Sequence, residues 1–467
     1  MNCQFSLMVA LAGFGFSSHG AITVGSWIPI FRGVDRATGE ADAAESRPQK
    51  VNVLRIDLRE PDVALFSTPS NGAELLETSG QTTSQFLTNY GVKVAVNANF
   101  FSPCCSTNVG ESKDLFGIAI SQGQLVSPQE PGTFSTALLI TSNNLASIAT
   151  TPINTSNIFT AVGGAEIILQ NGSNVGVNPE IDPRTFVGLS QTKRYLYLVT
   201  VDGRQPGYSE GVNHFEAAQW LIRFGAYQGF LLDGGGSTAM VMSDNAGGAI
   251  TLNRPINGGI PGNQRIVGNN IGVFAQPLPD VIVTALNWVP INLVSGTRMV
   301  FRATVKNQGL GATPRGVILG VGFLIDGVGV SWTDTYTNSL AAGASITLTA
   351  DGGPNGTNVW FATAGTHVLT ATVDDVARFS ESNETNNSLN VAFNVFRSSY
   401  ALNSGGSAAS PFSADAFFSS GTTFSVVNPI STTGVSNAAP QAVYQSERAG
   451  SFSYSLTNLM PGAMHTV

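Results

Sequence analysis

The sequence predicts an α+β domain, a mixed sheet with few helices, followed by an all-β sandwich and a partial β-sandwich. Three observations carry this. The chain has 467 residues, more than one hydrophobic core usually serves, so two to four domains are expected. Apolar residues make up 42%, enough for packed cores, while Gly and Pro together supply 74 positions and so frequent turns. Short apolar runs dominate, with one clear helical stretch in the first half and strand alternation in the second. Charged residues are only 11% and the net charge is −8; with no Lys/Arg run, nucleic acid is a poor partner. Arg outnumbers Lys 17 to 5, in keeping with cations placed for bidentate anion contacts.

Phe5 to Phe16 is a twelve-residue apolar run followed by small residues near Gly20. Twelve residues are too few to span a bilayer but suit the core of a signal peptide, so residues 1–20 are expected to be a leader of a secreted or cell-surface protein without a transmembrane segment. Residues 21–277 then form the first domain. Within it, Tyr195 to Val201 reads as a buried strand ending in Asp202-Gly203-Arg204. A helix is expected over about His214 to Phe224, with Phe215, Ala218, Leu221 and Ile222 as its apolar face. The strand Phe230-Leu231-Leu232 ends at Asp233-Gly234-Gly235-Gly236-Ser237, and another strand leads away from Thr238 to Met242. Polar residues thus gather where buried strands end, a usual place for a site on a rigid scaffold. Pro277 to Asp280 reads as a linker. Residues 280–396 alternate apolar and polar at sandwich spacing, as in Val300 to Val305 and His367 to Val373. Residues 400–467 are Ser/Gly/Ala-rich with short aromatic runs.

Several chemistries are excluded. Three cysteines (Cys3, Cys104, Cys105) cannot staple a scaffold or make a CxxC-type zinc site; Cys104 and Cys105 are either a vicinal disulfide or two free thiols on a loop. The three glycines let backbone approach a ligand and can form an anion nest, or they can simply make a tight β-connection. No Lys-Ser/Thr follows them, which excludes a P-loop. Gly207-Tyr208-Ser209-Glu210-Gly211 matches a nucleophile-elbow pattern, but five residues separate it from the strand end and no suitable downstream His exists. Glu216, with Asn213 before it, also fits a capping box, and Asp233 could tie down its own loop.

Taken in order, Asn97-Ala98-Asn99-Phe100-Phe101, Asp182-Pro183-Arg184-Thr185-Phe186-Val187-Gly188, Asp202-Gly203-Arg204, the Glu216 helix, Leu232 to Ser237 and Arg265 to Gly272 resemble the phosphodiester glycosidase family. The resemblance covers about residues 50–275. It implies hydrolysis of the C1–O bond of a sugar-1-phosphodiester, giving free sugar and a phosphomonoester. On that reading Glu216 and Asp233 are the catalytic carboxylates. Arg184, Arg204 and Arg265 clamp the departing phosphate. Asn97, Asn99 and Asn269 orient sugar hydroxyls or phosphate, and Thr185, Asp202, Gly234, Gly235, Gly236 and Ser237 complete the substrate site. No metal-ligand cluster is visible, so hydrolysis without a metal is expected. Residues 280–396 resemble a CARDB module, an Ig-like domain; its Asp374-Asp375 and Glu381 to Asn387 stretch could hold Ca2+, although Asx turns explain it more simply. Residues 400–467 resemble the first half of a malectin-like carbohydrate-binding domain, which would leave unpaired edges. Together these imply glycan attachment at the cell surface, the alternative being a non-catalytic glycan- or phosphate-binding protein.

Overall fold

Strand Tyr195–Val201 shows how the first half of the chain is built: it is apolar at nearly every position because both of its faces are covered. Leu196 and Leu198 point into one core; Tyr197, Val199 and Val201 point into another. The strand lies in a nine-stranded sheet, flanked by Gln49–Asp57 and Arg184–Leu189, with Gln228–Leu231 beyond the latter. The computed structural model describes residues 22–42, 47–105 and 107–464; the leader expected over residues 1–20 lies outside them. The chain divides between Leu278 and Pro279 into two units.

In the first unit two five-stranded sheets share the core with the large sheet. One is centred on Val94–Asn97, between Met240–Ser243 and Asn270–Phe274; the other contains Thr136–Thr141 and Ile158–Gly164. Leu54, Ile56, Val94, Val96, Leu138, Val162, Phe230 and Ile271 meet there, each fully buried. The mixed sheet expected from the sequence is corrected: every described ladder of this unit is antiparallel. The helix α1, His214–Phe224, carries the chain from Tyr195–Val201 to Gln228–Leu231, so these two strands run the same way. They are not neighbours, because Arg184–Leu189 lies between them. Their C-terminal ends, followed by Asp202 and Asp233, therefore emerge at one end of the sheet.

Helix α1 has the predicted bounds and only part of the predicted face. Ala217, Ala218, Trp220, Leu221 and Phe224 are buried against the sheet, while Phe215 is 50% and Ile222 42% exposed. Trp220 sets the rotation. Its ring packs where Gly39 leaves room on the sheet, and its indole N–H donates to Gln49 Oε1 at 2.7 Å. Strand, not helix, dominates the whole chain.

The second unit opens with two four-stranded sheets. Val281–Val289, Arg298–Asn307 and Ser345–Thr349 belong to one; Val321–Ile325, Gly365–Val373 and Ser388–Val395 to the other. Met299, Phe301, Ala303 and Val305, alternate residues of one strand, meet Phe323, Leu369, Ala371 and Val395 in a shared core. Asp374 accepts the Arg378 and Phe379 backbone N–H groups, and Asn383 accepts that of Thr385, so the acidic loop is closed by side chains bonding to nearby backbone. Past residue 400 the described residues form short two-stranded ladders, such as Thr422–Ser425 with Ser446–Ala449, and Phe424 is 60% exposed. Cys104 and Cys105 are joined as a vicinal disulfide.

Candidate active site

Sheet register collects the polar residues. Arg184 pairs with Val201, and Phe186 with Leu231, so Arg184, Asp202 and Asp233 come to the same sheet end. Asn97 closes the neighbouring sheet onto it: its amide donates to the Asp233 carbonyl at 2.6 Å and accepts from Thr185 Oγ at 2.7 Å and from the Ala239 N–H at 3.1 Å.

Asp233 is followed by Gly234 and a tight turn, Gly235–Ser237, and the three glycines 234–236 each abut a different arginine. Gly234 packs on the stem of Arg184, Gly235 faces the guanidinium of Arg204, and Gly236 lies against that of Arg265. Gly235 has φ +61°, a conformation that side chains disfavour, and a Cβ on Gly236 would overlap the Arg265 guanidinium. The turn is held by Gly235 N–H donating to the Pro183 carbonyl at 2.8 Å. Three cations thus converge on backbone that carries no side chains to shield them.

Each arginine is oriented by its own support. Arg204 Nε donates to Asp182 Oδ1 at 2.8 Å. Arg265 donates to Asn257 Oδ1 and to Ser237 Oγ, both at 3.2 Å. Arg184 donates to the Glu180 carbonyl at 3.0 Å, and its Nε is buried without a partner among the described residues. Burial pulls the Arg184 and Arg265 guanidinium pKa values below the ordinary arginine value, and each also feels the charge of Arg204. Partly dehydrated guanidinium groups with donors to spare form an anion site.

Asp233 is the carboxyl at this centre. Burial pushes its pKa up to about 6, against hydrogen bonds from Ser237 and the Gly234 N–H and the charge of Arg265. Ser237 therefore joins the carboxyl to the guanidinium. A carboxylate that titrates near neutrality beside a cation cluster is a candidate for chemistry.

Other predicted residues are placed differently. Glu216 is placed at the start of its helix as a capping-box residue. It accepts the Asn213 N–H at 2.9 Å, pairs with Arg47, and lines a separate cavity of about 270 Å³ beside Gln49 and Trp220. Asn97, Asn99 and Asn269 are wholly buried, and their amides are bonded to backbone groups and to neighbouring side chains. Asn99 donates to the Phe116 carbonyl and accepts from Asn269 Nδ2 at 2.8 Å, while Asn269 accepts the Thr68 N–H. Thr185 is buried behind Asn97. Asp202, 1% exposed, accepts from Asn253 and from the Arg254 N–H, and burial raises its pKa; it braces a loop. Ser209 donates to the Asp202 carbonyl at 2.6 Å and is wholly buried, which removes it as a nucleophile. The sequence reading missed Asp182 and Asn257, the two supports of the arginines. A cavity of about 920 Å³, lined by Arg59, Thr141 and Lys193, lies at the opposite end of the large sheet and shares none of these residues.

Residues 90–274 match the family described as phosphodiester glycosidase, and residues 278–391 match CARDB. Among solved structures, the chain is similar to the zebrafish N-acetylglucosamine-1-phosphodiester alpha-N-acetylglucosaminidase catalytic domain, auto-inhibited by its pro-peptide. That match has 17% identity over 56% of this chain and 89% of that one, with a TM-score of 0.41. A hypothetical protein from Synechocystis is similar at 14% identity over 53% of this chain and 64% of that one, with a TM-score of 0.37. The CARDB domain of a Pyrococcus furiosus protein is similar at 24% identity over 25% of this chain and 95% of that one, with a TM-score of 0.20. No curated protein matches the chain. Residues 90–274 are thus a domain of the phosphodiester glycosidase family, followed over residues 278–391 by a CARDB domain.

Proposed function

We propose that this protein is a secreted glycosidase that cleaves the C1–O bond of a sugar-1-phosphodiester, releasing free sugar and a phosphomonoester, on surface or extracellular glycans. The observation that carries the reading is the buried Asp233 carboxyl, set beside Arg265 and the arginine-lined glycine turn. A phosphate monoester is a good leaving group whose negative charge grows as the C1–O bond breaks. Arg184, Arg204 and Arg265 are suited to stabilise that charge with little need for a proton donor. At C1 an oxocarbenium-like centre develops, and the Asp233 carboxylate would stabilise it, either as nucleophile or by taking a proton from water. Water's oxygen ends on C1, its proton is released, and the phosphate keeps the bridging oxygen. The β-sandwich unit would serve attachment to glycan, with residues 400–467 as a part of a malectin-like domain.

The test is sugar release from a sugar-1-phosphodiester by the full chain and three variants. Asp233→Asn should lower kcat by about 10²–10⁴, and Arg184→Ala by about 10²–10³. Glu216→Gln should leave kcat within a few-fold and lower stability by about 1 kcal/mol, as loss of a cap does. Binding without any turnover by the wild-type chain would instead support a non-catalytic glycan- or phosphate-binding protein.

A further inference from the structure

A fourth arginine stands outside the cluster just described. Arg254 is exposed and has no carboxylate within ion-pair distance of its guanidinium among the described residues. It is nevertheless held in place. The guanidinium lies 4.9 Å from the centroid of the Tyr208 ring, and the Tyr208 hydroxyl donates to Asp202 Oδ2 at 3.3 Å. The Arg254 backbone N–H donates to both Asp202 oxygens, at 2.9 and 3.0 Å, and its carbonyl accepts from Gln205 Nε2 at 2.9 Å. Asn253, the preceding residue, donates to Asp202 Oδ1 at 2.9 Å and to the Thr238 carbonyl at 3.2 Å, tying this segment to the exit of the glycine turn. Asp202 is thereby a brace, holding both the backbone of Arg254 and the ring on which its side chain stacks.

A surface cation that only solubilises the fold needs no such support. An exposed guanidinium stacked on an aromatic face, on a segment tied to the exit of the glycine turn, fits recognition of a second anion. We propose that Arg254, stacked on Tyr208, is a second anion subsite, and that the substrates of this protein carry another phosphate or carboxylate beyond the scissile phosphodiester. This rests on the proposed glycosidase reading and deepens it by naming the substrate class: glycosyl phosphodiesters with more than one anionic group, as in a chain of sugar-phosphate repeats.

The experiment compares two probes with the full chain: N-acetylglucosamine 1-(methyl phosphate), with one anionic group, and N-acetylglucosamine 1-(2-phosphoethyl phosphate), with two. The wild type should favour the second by about tenfold in kcat/KM at low ionic strength, and added salt should erode the preference. Arg254→Ala should bring the ratio to about one. Arg254→Lys should retain part of it, and Tyr208→Leu, which keeps the charge and removes the platform, should reduce it. A ratio near one in the wild type, or the same ratio in wild type and Arg254→Ala, overturns the proposal. If neither probe is hydrolysed, the glycosidase reading fails by itself. The ratio is then read as Kd by calorimetry, where equal wild-type affinity for the two probes overturns the second subsite.

Discussion

Asp233 holds the most consequential position among single residues. Its folded-state pKa of about 6 lies above the ordinary 3.8, so between those values the folded chain binds more proton than the unfolded one. Stability from this group is therefore present at low pH and declines as pH rises through the window from 3.8 to 6. Asp233→Asn, which cannot ionise, should raise the melting temperature relative to wild type more at pH 8 than at pH 4. Equal shifts at both pH values would mean that the carboxyl is not held in an unfavourable charged state. Activity should follow the opposite course, rising through pH 6 as the carboxylate forms, since the reaction needs the ionised group. The same residue would then weaken the fold at the pH where it works, which is a usual feature of catalytic groups.

Among the elements, α1 separates what a pattern reveals from what packing decides. Its bounds were legible because Asn213 and Glu216 form a capping box and Gly225 ends it in a left-handed conformation. Its face was legible only in part. Of the expected stripe Phe215, Ala218, Leu221 and Ile222, Ala218 and Leu221 are buried with Ala217, Trp220 and Phe224, while Phe215 and Ile222 are exposed, and Trp220 packs where Gly39 leaves room. Trp220→Ala should therefore cost about 3–5 kcal/mol in denaturant unfolding, whereas Phe215→Ser and Ile222→Gln should each stay within about 0.5 kcal/mol. A large loss at Phe215 would restore the stripe expected from periodicity. The strand ends follow the same rule. The sequence revealed that Arg184, Arg204, Asp233 and Arg265 belonged near one another through family resemblance, but the match of one arginine to each glycine needs register and turn geometry. The residue type of Asn97, Asn99 and Asn269 does not disclose that their amides are engaged by backbone and by neighbouring side chains.

Across the whole molecule, two kinds of architecture follow one another, and the sequence separated them by composition: buried continuous strands before Pro279, half-exposed alternating strands after it. The antiparallel connectivity of the first unit was hidden, since the helical crossover suggests parallel neighbours until the intervening strand is placed. No helix of the described residues is long and apolar enough to cross a membrane. The second unit has its own titrating lock. Glu381, 2% exposed, accepts the Val281 N–H and an Asn387 amide, and burial pushes its pKa up to about 7 from 4.5. The folded unit holds that proton between pH 4.5 and 7, so its stability should fall as pH rises through this range. Glu381→Gln should flatten that slope in thermal unfolding followed by probes in this unit; an unchanged slope would assign it to other groups.

Cleavage of the sugar C1–O bond, with phosphate as the leaving group, fixes where the oxygen of water ends. Turnover of a sugar-1-phosphodiester in ¹⁸O-labelled water, read by mass spectrometry under conditions that limit exchange at C1, tests it directly. The label is expected on the released sugar and not on the phosphomonoester; label on phosphorus would mean attack at phosphate and would rule out C1–O cleavage.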